Sequence, residues 1–268
     1  MATMPGRHPA HPTGRPAVSR RRGSLLAALA LVIPLALVGC SAHPAPDTLV
    51  VFAAASLTQA FPRIAQGFEK EHPGVSVKFS FDGSSSLVDQ LAGGADADVF
   101  AAADEVTMQR ALDQRLVSSP PRPFATNMLV LITPPDNPGH VTGFNSSLTG
   151  KRLVVCAPQV PCGDATLKLA GIDGLTLKPV SQTTKVTDVV GAVTTGEADA
   201  GIVYTTDATA AGSQVRTIAI PHSDEVVNRY PIATVAGSSH AADAQAFVDY
   251  VVSPAGRSVL ASYGFGAP

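Results

Sequence analysis

After Thr48, short apolar runs alternate with helically spaced stretches along nearly the whole chain, and this alternation constrains the fold more than any single motif. The first unit sets the pattern. Val50, Val51 and Phe52 read as a buried strand; after Ala53, Ala54, Ala55 and Ser56, the residues Leu57, Ala60, Phe61, Ile64 and Phe68 recur at helical spacing. Ser56 is an N-cap residue type, and Gln59 stands where a capping box places its second member. The stretch predicts a strand, a turn lined by small side chains, and a helix. Unpaired amides at such a helix start attract anions, and the alanines leave room for one. The same residues also describe a capped helix with no ligand. With a helix starting at Leu57, Pro62 removes an early backbone bond, so an irregular first turn is expected.

His72-Pro73-Gly74 stops this helix. Strands are then predicted over residues 75–81, 98–101 and 127–133, with a turn at 82–86 and helices over 87–91 and 105–115 between them. A second run follows: strands over 152–157, 177–181, 200–204, 215–220 and 230–235, and helices over 166–170, 186–195, 241–252 and 255–262. Such alternation implies mostly parallel sheets covered by helices. Ligands of such sheets sit beyond the carboxyl ends of the strands, where the turns at Ser56 and Ser84 fall.

The N-terminus reads as an export signal. Arg20, Arg21 and Arg22 precede an apolar run over residues 25–38, shorter than the ~20 residues a membrane span needs. It ends in Leu37-Val38-Gly39-Cys40, which resembles a bacterial lipobox. Residues 1–39 are therefore expected to be a lipoprotein signal peptide, Cys40 the lipidated residue, and 40–47 a Pro/Ala tether holding the fold on the outer face of the cell membrane. The leader holds five arginines and no acid, which leaves 14 basic residues against 21 acidic ones and argues against nucleic-acid binding. With Cys40 assigned, Cys156 and Cys162 form an even pair in an oxidising setting and predict a disulfide. The histidines show no metal-ligand spacing, and no metal cation or cofactor is expected.

Several segments, in order, resemble the periplasmic molybdate-binding proteins of ABC transporters, a family of type II periplasmic binding proteins. They are Val-Phe-Ala-Ala-Ala-Ser-Leu (51–57), Gly-Ser-Ser-Ser (83–86), Gly-Ala-Asp-Ala-Asp-Val-Phe (94–100) and Asn-Met-Leu-Val-Leu (127–131). Further on come Gly-Glu-Ala-Asp-Ala-Gly-Ile-Val-Tyr (196–204), Tyr-Pro-Ile-Ala (230–233) and Tyr-Gly-Phe (263–265). The resemblance implies an α/β, two-lobed fold, each lobe a mostly parallel sheet flanked by helices, with the ligand in the cleft. Lobe 1 would be 48–126 plus 230–268 and lobe 2 would be 127–229, hinged near 126–129 and 229–232. It implies a molybdate site made by Ser56, Ser84, Cys162, Val186 and Tyr204, with hydroxyls from the serines and the phenol and backbone amides from Cys162 and Val186. Cys162 stands where the family usually has alanine in a Pro-Ala-Gly turn. The implied role is a lipid-anchored monomer, not an enzyme, that captures molybdate, and tungstate with it, and hands them to a membrane permease.

The chemistry agrees with that implication. Molybdate at neutral pH is a dianion with acceptors only, so a site made only of donors satisfies it. Protonated phosphate needs an acceptor, which Asp82 or Asp164 would supply, so sulfate, phosphate or an organic anion remain alternatives at this stage. A serine hydrolase is disfavoured because no Gly-x-Ser-x-Gly elbow surrounds Ser56 or Ser84. A scaffold lipoprotein would have no use for polar, small-residue turns at two strand ends.

Overall fold

The computed structural model describes residues 47–118 and 120–268. The expected signal peptide, Cys40 and most of the tether lie outside the described residues. Asp47, assigned to the tether, is instead the first residue of β1, where it pairs with Val75.

In chain order the elements are β1 (Asp47–Ala54), α1 (Ala60–Glu71), β2 (Val75–Asp82), α2 (Ser84–Ala92), β3 (Val99–Ala101), α3 (Glu105–Asp113), β4 (Arg122–Asn127), β5 (Leu129–Thr133) and β6 (Leu153–Cys156). Then come α4 (Pro161–Ile172), β7 (Ser181–Thr183), α5 (Val186–Thr194), β8 (Ala200–Tyr204), α6 (Thr205–Ala211), β9 (Arg216–Ala219), β10 (Asn228–Thr234), α7 (Ala241–Val252) and α8 (Pro254–Ser262). They build two five-stranded sheets, ordered β2-β1-β3-β10-β4 and β7-β6-β8-β5-β9. The expected α/β, two-lobed architecture is what is found, and each sheet is parallel except for one strand, β10 in the first and β5 in the second. The chain crosses to the second sheet between β4 and β5, and returns at β10, where Asn228 pairs with Asn127.

Local departures from the sequence reading have local causes. The helix after Ser56 starts at Ala60, and residues Ala55–Leu57 form a separate 3-10 turn. Pro62 is thereby the third helical residue, where its missing N–H costs no intrahelical bond. The strand expected at 177–181 lies further on, at β7, because Pro179 offers no N–H and Val180 is exposed. Strand β4 was not anticipated; its Pro123 sits on an edge strand, at a bulge opposite Pro231. Helix α6 was also missed, since Thr-Thr-Asp-Ala-Thr-Ala-Ala carries no apolar period.

The cores differ in kind. Helix α1 buries Phe61, Ile64 and Phe68 against the first sheet, where Phe61 meets Phe79, Phe124 and Phe247, and Phe68 meets Phe247 edge-on at 5.2 Å. Each such ring contributes about 1.5–3 kcal/mol by burial. The second sheet is covered by aliphatic side chains: Leu169 of α4, Val189 and Val193 of α5, and Ile202 and Val203 of β8 are fully buried.

Candidate functional site

Four segments end at one place between the sheets. β1 runs into the turn holding Ser56, β2 runs through Gly83 into α2, β6 leads through a short loop into α4, and β8 ends at Tyr204. Helix α5 starts beside them. The cavity they leave is about 20 Å³, and all five residues singled out from the sequence line it: Ser56, Ser84, Cys162, Val186 and Tyr204. All five are buried.

The donors are held in place by contacts within the protein. Helices α2, α4 and α5 begin at Ser84, Pro161 and Val186, and no side chain caps any of the three. Their first-turn amides have no acceptor within the helix, and the helix dipoles add partial positive charge there. The Ala103 N–H donates to Ser84 Oγ at 3.0 Å, so the Ser84 hydroxyl proton is free to donate elsewhere. Ser56 Oγ lies 2.9 Å from the Tyr230 hydroxyl. Among the described residues the buried Tyr204 hydroxyl has no hydrogen-bond partner of normal geometry, although the Tyr230 hydroxyl lies close to it. Burial pushes its pKa well up, and the neighbouring Tyr230, Asp104 and Asp207 push the same way, so it stays a protonated donor.

Ser56 is not the N-cap that the sequence suggested. It sits inside the 3-10 turn, whose N-cap is Ala54, and its hydroxyl goes to Tyr230 rather than to a helix amide. The two carboxylates weighed as acceptors for a protonated anion are occupied elsewhere. Asp82 accepts from the Gly83 N–H at 2.8 Å and from Gln90 at 3.2 Å, and Asp164 pairs with Lys168 at 2.7 Å. Among the described residues no carboxylate lines the cavity, while Lys185 does.

Three features escaped the sequence reading. A Cβ on Gly83 would stand 1.9 Å from the Thr184 carbonyl oxygen, so glycine here lets the two lobes touch. Ser85 Oγ donates across the same seam to the Gln159 carbonyl at 2.8 Å. Behind Ser56, Tyr230 and Asn127 form a buried polar chain. Gly83, Ser85, Asn127 and Tyr230 all lay in quoted motifs, without these roles. The disulfide between Cys156 and Cys162 is present, with Cα atoms 5.6 Å apart, and ties the end of β6 to the start of α4. Closing so short a loop contributes about 2 kcal/mol. Gly163 packs beneath it, where a Cβ would meet the Ala157 carbonyl oxygen at 1.9 Å.

A second cavity of about 210 Å³ adjoins the first, sharing Ala55 and Ser56 and lined also by Thr187 and Asp207. Asp207 Oδ2 accepts from the Tyr204 N–H at 3.1 Å. Burial pushes its carboxyl up to about 7, against the lowering effect of that bond.

Fold and cavity together define a class: a two-lobed binding protein with a small, donor-lined chamber between its sheets. A family model of bacterial extracellular solute-binding proteins matches residues 49–266, and the chain belongs to that family. It is a solute-binding protein and not an enzyme. Over 223 residues it is 44% identical to the molybdate-binding protein ModA of Mycobacterium tuberculosis, covering 82% of this chain and 85% of that protein. Over 229 residues it is 35% identical to ModA of Escherichia coli, covering 81% of this chain and 88% of that one. The structure of the Azotobacter vinelandii periplasmic molybdate-binding protein matches with a TM-score of 0.72 at 22% identity, covering 82% of this chain and 99% of that chain, which supports the fold. The family resemblance read from the motifs is borne out.

Proposed function

We propose that the chain captures molybdate, and tungstate with it, in the cavity between the lobes and delivers it to the permease of an ABC importer. Ser56, Ser84 and Tyr204 give hydroxyl donors, and Cys162 and Val186 give backbone amides. The observation that carries this reading is the convergence of three uncapped helix starts and three buried hydroxyls on a chamber with no carboxylate in its lining. A fully deprotonated tetrahedral oxyanion matches such a donor set, because each of its oxygens only accepts. The relatives named for molybdate binding support the choice of anion. The protein acts as a monomer held by a lipid on Cys40 at the outer face of the membrane, with 48–126 plus 230–268 and 127–229 as the two bodies that close on the ligand.

Calorimetric titration with molybdate, tungstate, sulfate and phosphate tests the reading. Tight binding of the first two and far weaker binding of the others is expected. Equal affinity for phosphate, or no heat with molybdate, overturns it.

A further inference from the structure

We infer that Tyr230 is a positioning residue that tunes anion specificity: it occupies one lone pair of Ser56 Oγ, turns the Ser56 proton toward the cavity, and so favours ligands that bring no proton of their own. The inference rests on the oxyanion reading of the site and adds to it the residue that enforces the choice of protonation state.

The direction of the hydrogen bonds follows from one fixed amide. Asn127 Oδ1 accepts from the Met128 N–H at 3.1 Å, which fixes the orientation of the side chain. Asn127 Nδ2 therefore faces Thr206 Oγ1 at 2.8 Å and the Tyr230 hydroxyl at 3.4 Å, and donates to both. The Tyr230 oxygen already receives a proton, so its own proton goes to Ser56 Oγ, 2.9 Å away. In the reverse arrangement the Tyr230 proton would have to turn to the Tyr204 hydroxyl, with which it makes no bond of normal geometry, and folded proteins avoid leaving a buried donor so poorly paired. Burial also pushes the phenol far above its ordinary range, so Tyr230 remains a donor. Its ring is held edge-on by Phe124, Tyr204 and Phe265, so the hydroxyl has little freedom to turn away.

With one lone pair of Ser56 Oγ engaged by the Tyr230 proton, the Ser56 proton is left to face the cavity. Ser84 is set the same way by the Ala103 N–H. A hydroxyl free of such a partner can turn and accept from a protonated phosphate. Tyr230 thus takes one of the two acceptor sites of Ser56 Oγ and makes donation its favoured role toward the cavity.

The test is a mutant cycle on molybdate affinity, with phosphate as the competing anion. Tyr230→Phe keeps the ring and is expected to weaken molybdate binding by about tenfold, while phosphate competes better relative to molybdate by about fivefold or more. Added to Ser56→Ala, the same change should cost less than about twofold, because its target is gone; added to Ser84→Ala, it should cost the full tenfold. Asn127→Ala, which keeps Tyr230 but removes the donor behind it, should shift the anion preference the same way and serves if Tyr230→Phe does not fold. Full additivity with Ser56→Ala, or an unchanged preference for molybdate over phosphate in both variants, overturns the inference. Failure of the parent protein to bind molybdate overturns the reading of the site instead.

Discussion

In the first sheet β10 runs antiparallel between β3 and β4, and in the second β5 runs antiparallel between β8 and β9. On this shared plan the two lobes equip the cavity differently. The first offers side-chain hydroxyls, Ser56 and Ser84, each within bonding distance of a protein group that engages one of its acceptor lone pairs. The second offers backbone amides at the bare starts of α4 and α5, plus one phenol, Tyr204, with no protein partner. Hydroxyls can be deleted by substitution, whereas amides persist through almost any change of side chain. The second lobe instead secures the backbone itself, with a disulfide and a close-packed Gly163 at the start of α4.

The largest expected effect breaks the meeting of the lobes rather than either donor set. Gly83 has φ −59 and ψ 135, a conformation open to any residue, so its need for hydrogen comes only from the Thr184 carbonyl. Gly83→Ala should leave each lobe folded and keep the cleft from shutting, weakening molybdate binding by about 100-fold or more. Small-angle scattering should show the parent contracting on ligand addition and the variant remaining open. If the variant binds and contracts as the parent does, the lobes do not need this contact.

The next effect separates the lobes by the state of their hydroxyls. Ser84→Ala and Tyr204→Phe each remove a donor to a charged oxygen and should weaken binding about 10- to 100-fold. Their effects on the ligand-free protein should have opposite signs. Ser84→Ala strands the Ala103 N–H and lowers the melting temperature, while Tyr204→Phe removes a buried hydroxyl that had no partner and raises it. Equal shifts in the two variants would remove the contrast.

These contrasts also mark what the sequence could disclose. Alternating strands and helices were readable because each uses its own hydrophobic period, as in β1 and α1. Ser84 was readable as a turn at a strand end. As anion donors, Cys162, Val186 and Tyr204 carried no chemical signal of their own and entered only through the family resemblance. The Gly83–Thr184 approach and the chain from Asn127 through Tyr230 to Ser56 were hidden because they join residues about 100 to 175 positions apart, which only the tertiary fold brings together. Helix α6 was hidden for a different reason: it buries Thr206 and Asp207, which look like surface residues in the sequence.

Asp207 allows a smaller test, through pH. Its carboxyl titrates at about 7 in the folded chain, against 3.8 ordinarily, so the unfolded chain ionises first as pH rises. Stability should therefore fall between those two values, and be lost no further above about 7. Once ionised, Asp207 also repels an anion held beside Ser56 and Tyr204, so molybdate affinity should drop by about three- to tenfold as pH rises through neutrality. Asp207→Asn keeps an acceptor for the Tyr204 N–H and should flatten both profiles. Parallel profiles in parent and variant would show that another group titrates.

The smallest expected change in binding is the most direct check on the second lobe. Val186 is buried at the first position of α5, and the proposed contact is its N–H, which alanine also has. Val186→Ala removes two carbons from a buried site and should cost about 1.5 kcal/mol of stability. Its N–H keeps the same place at the helix start, so molybdate affinity should change by less than about threefold. The matching change in the first lobe, Ser84→Ala, is smaller in volume and yet should cost far more in binding. A loss at Val186→Ala as large as that at Ser84→Ala would mean that the valine side chain shapes the chamber directly, and the division between a hydroxyl lobe and an amide lobe would fall.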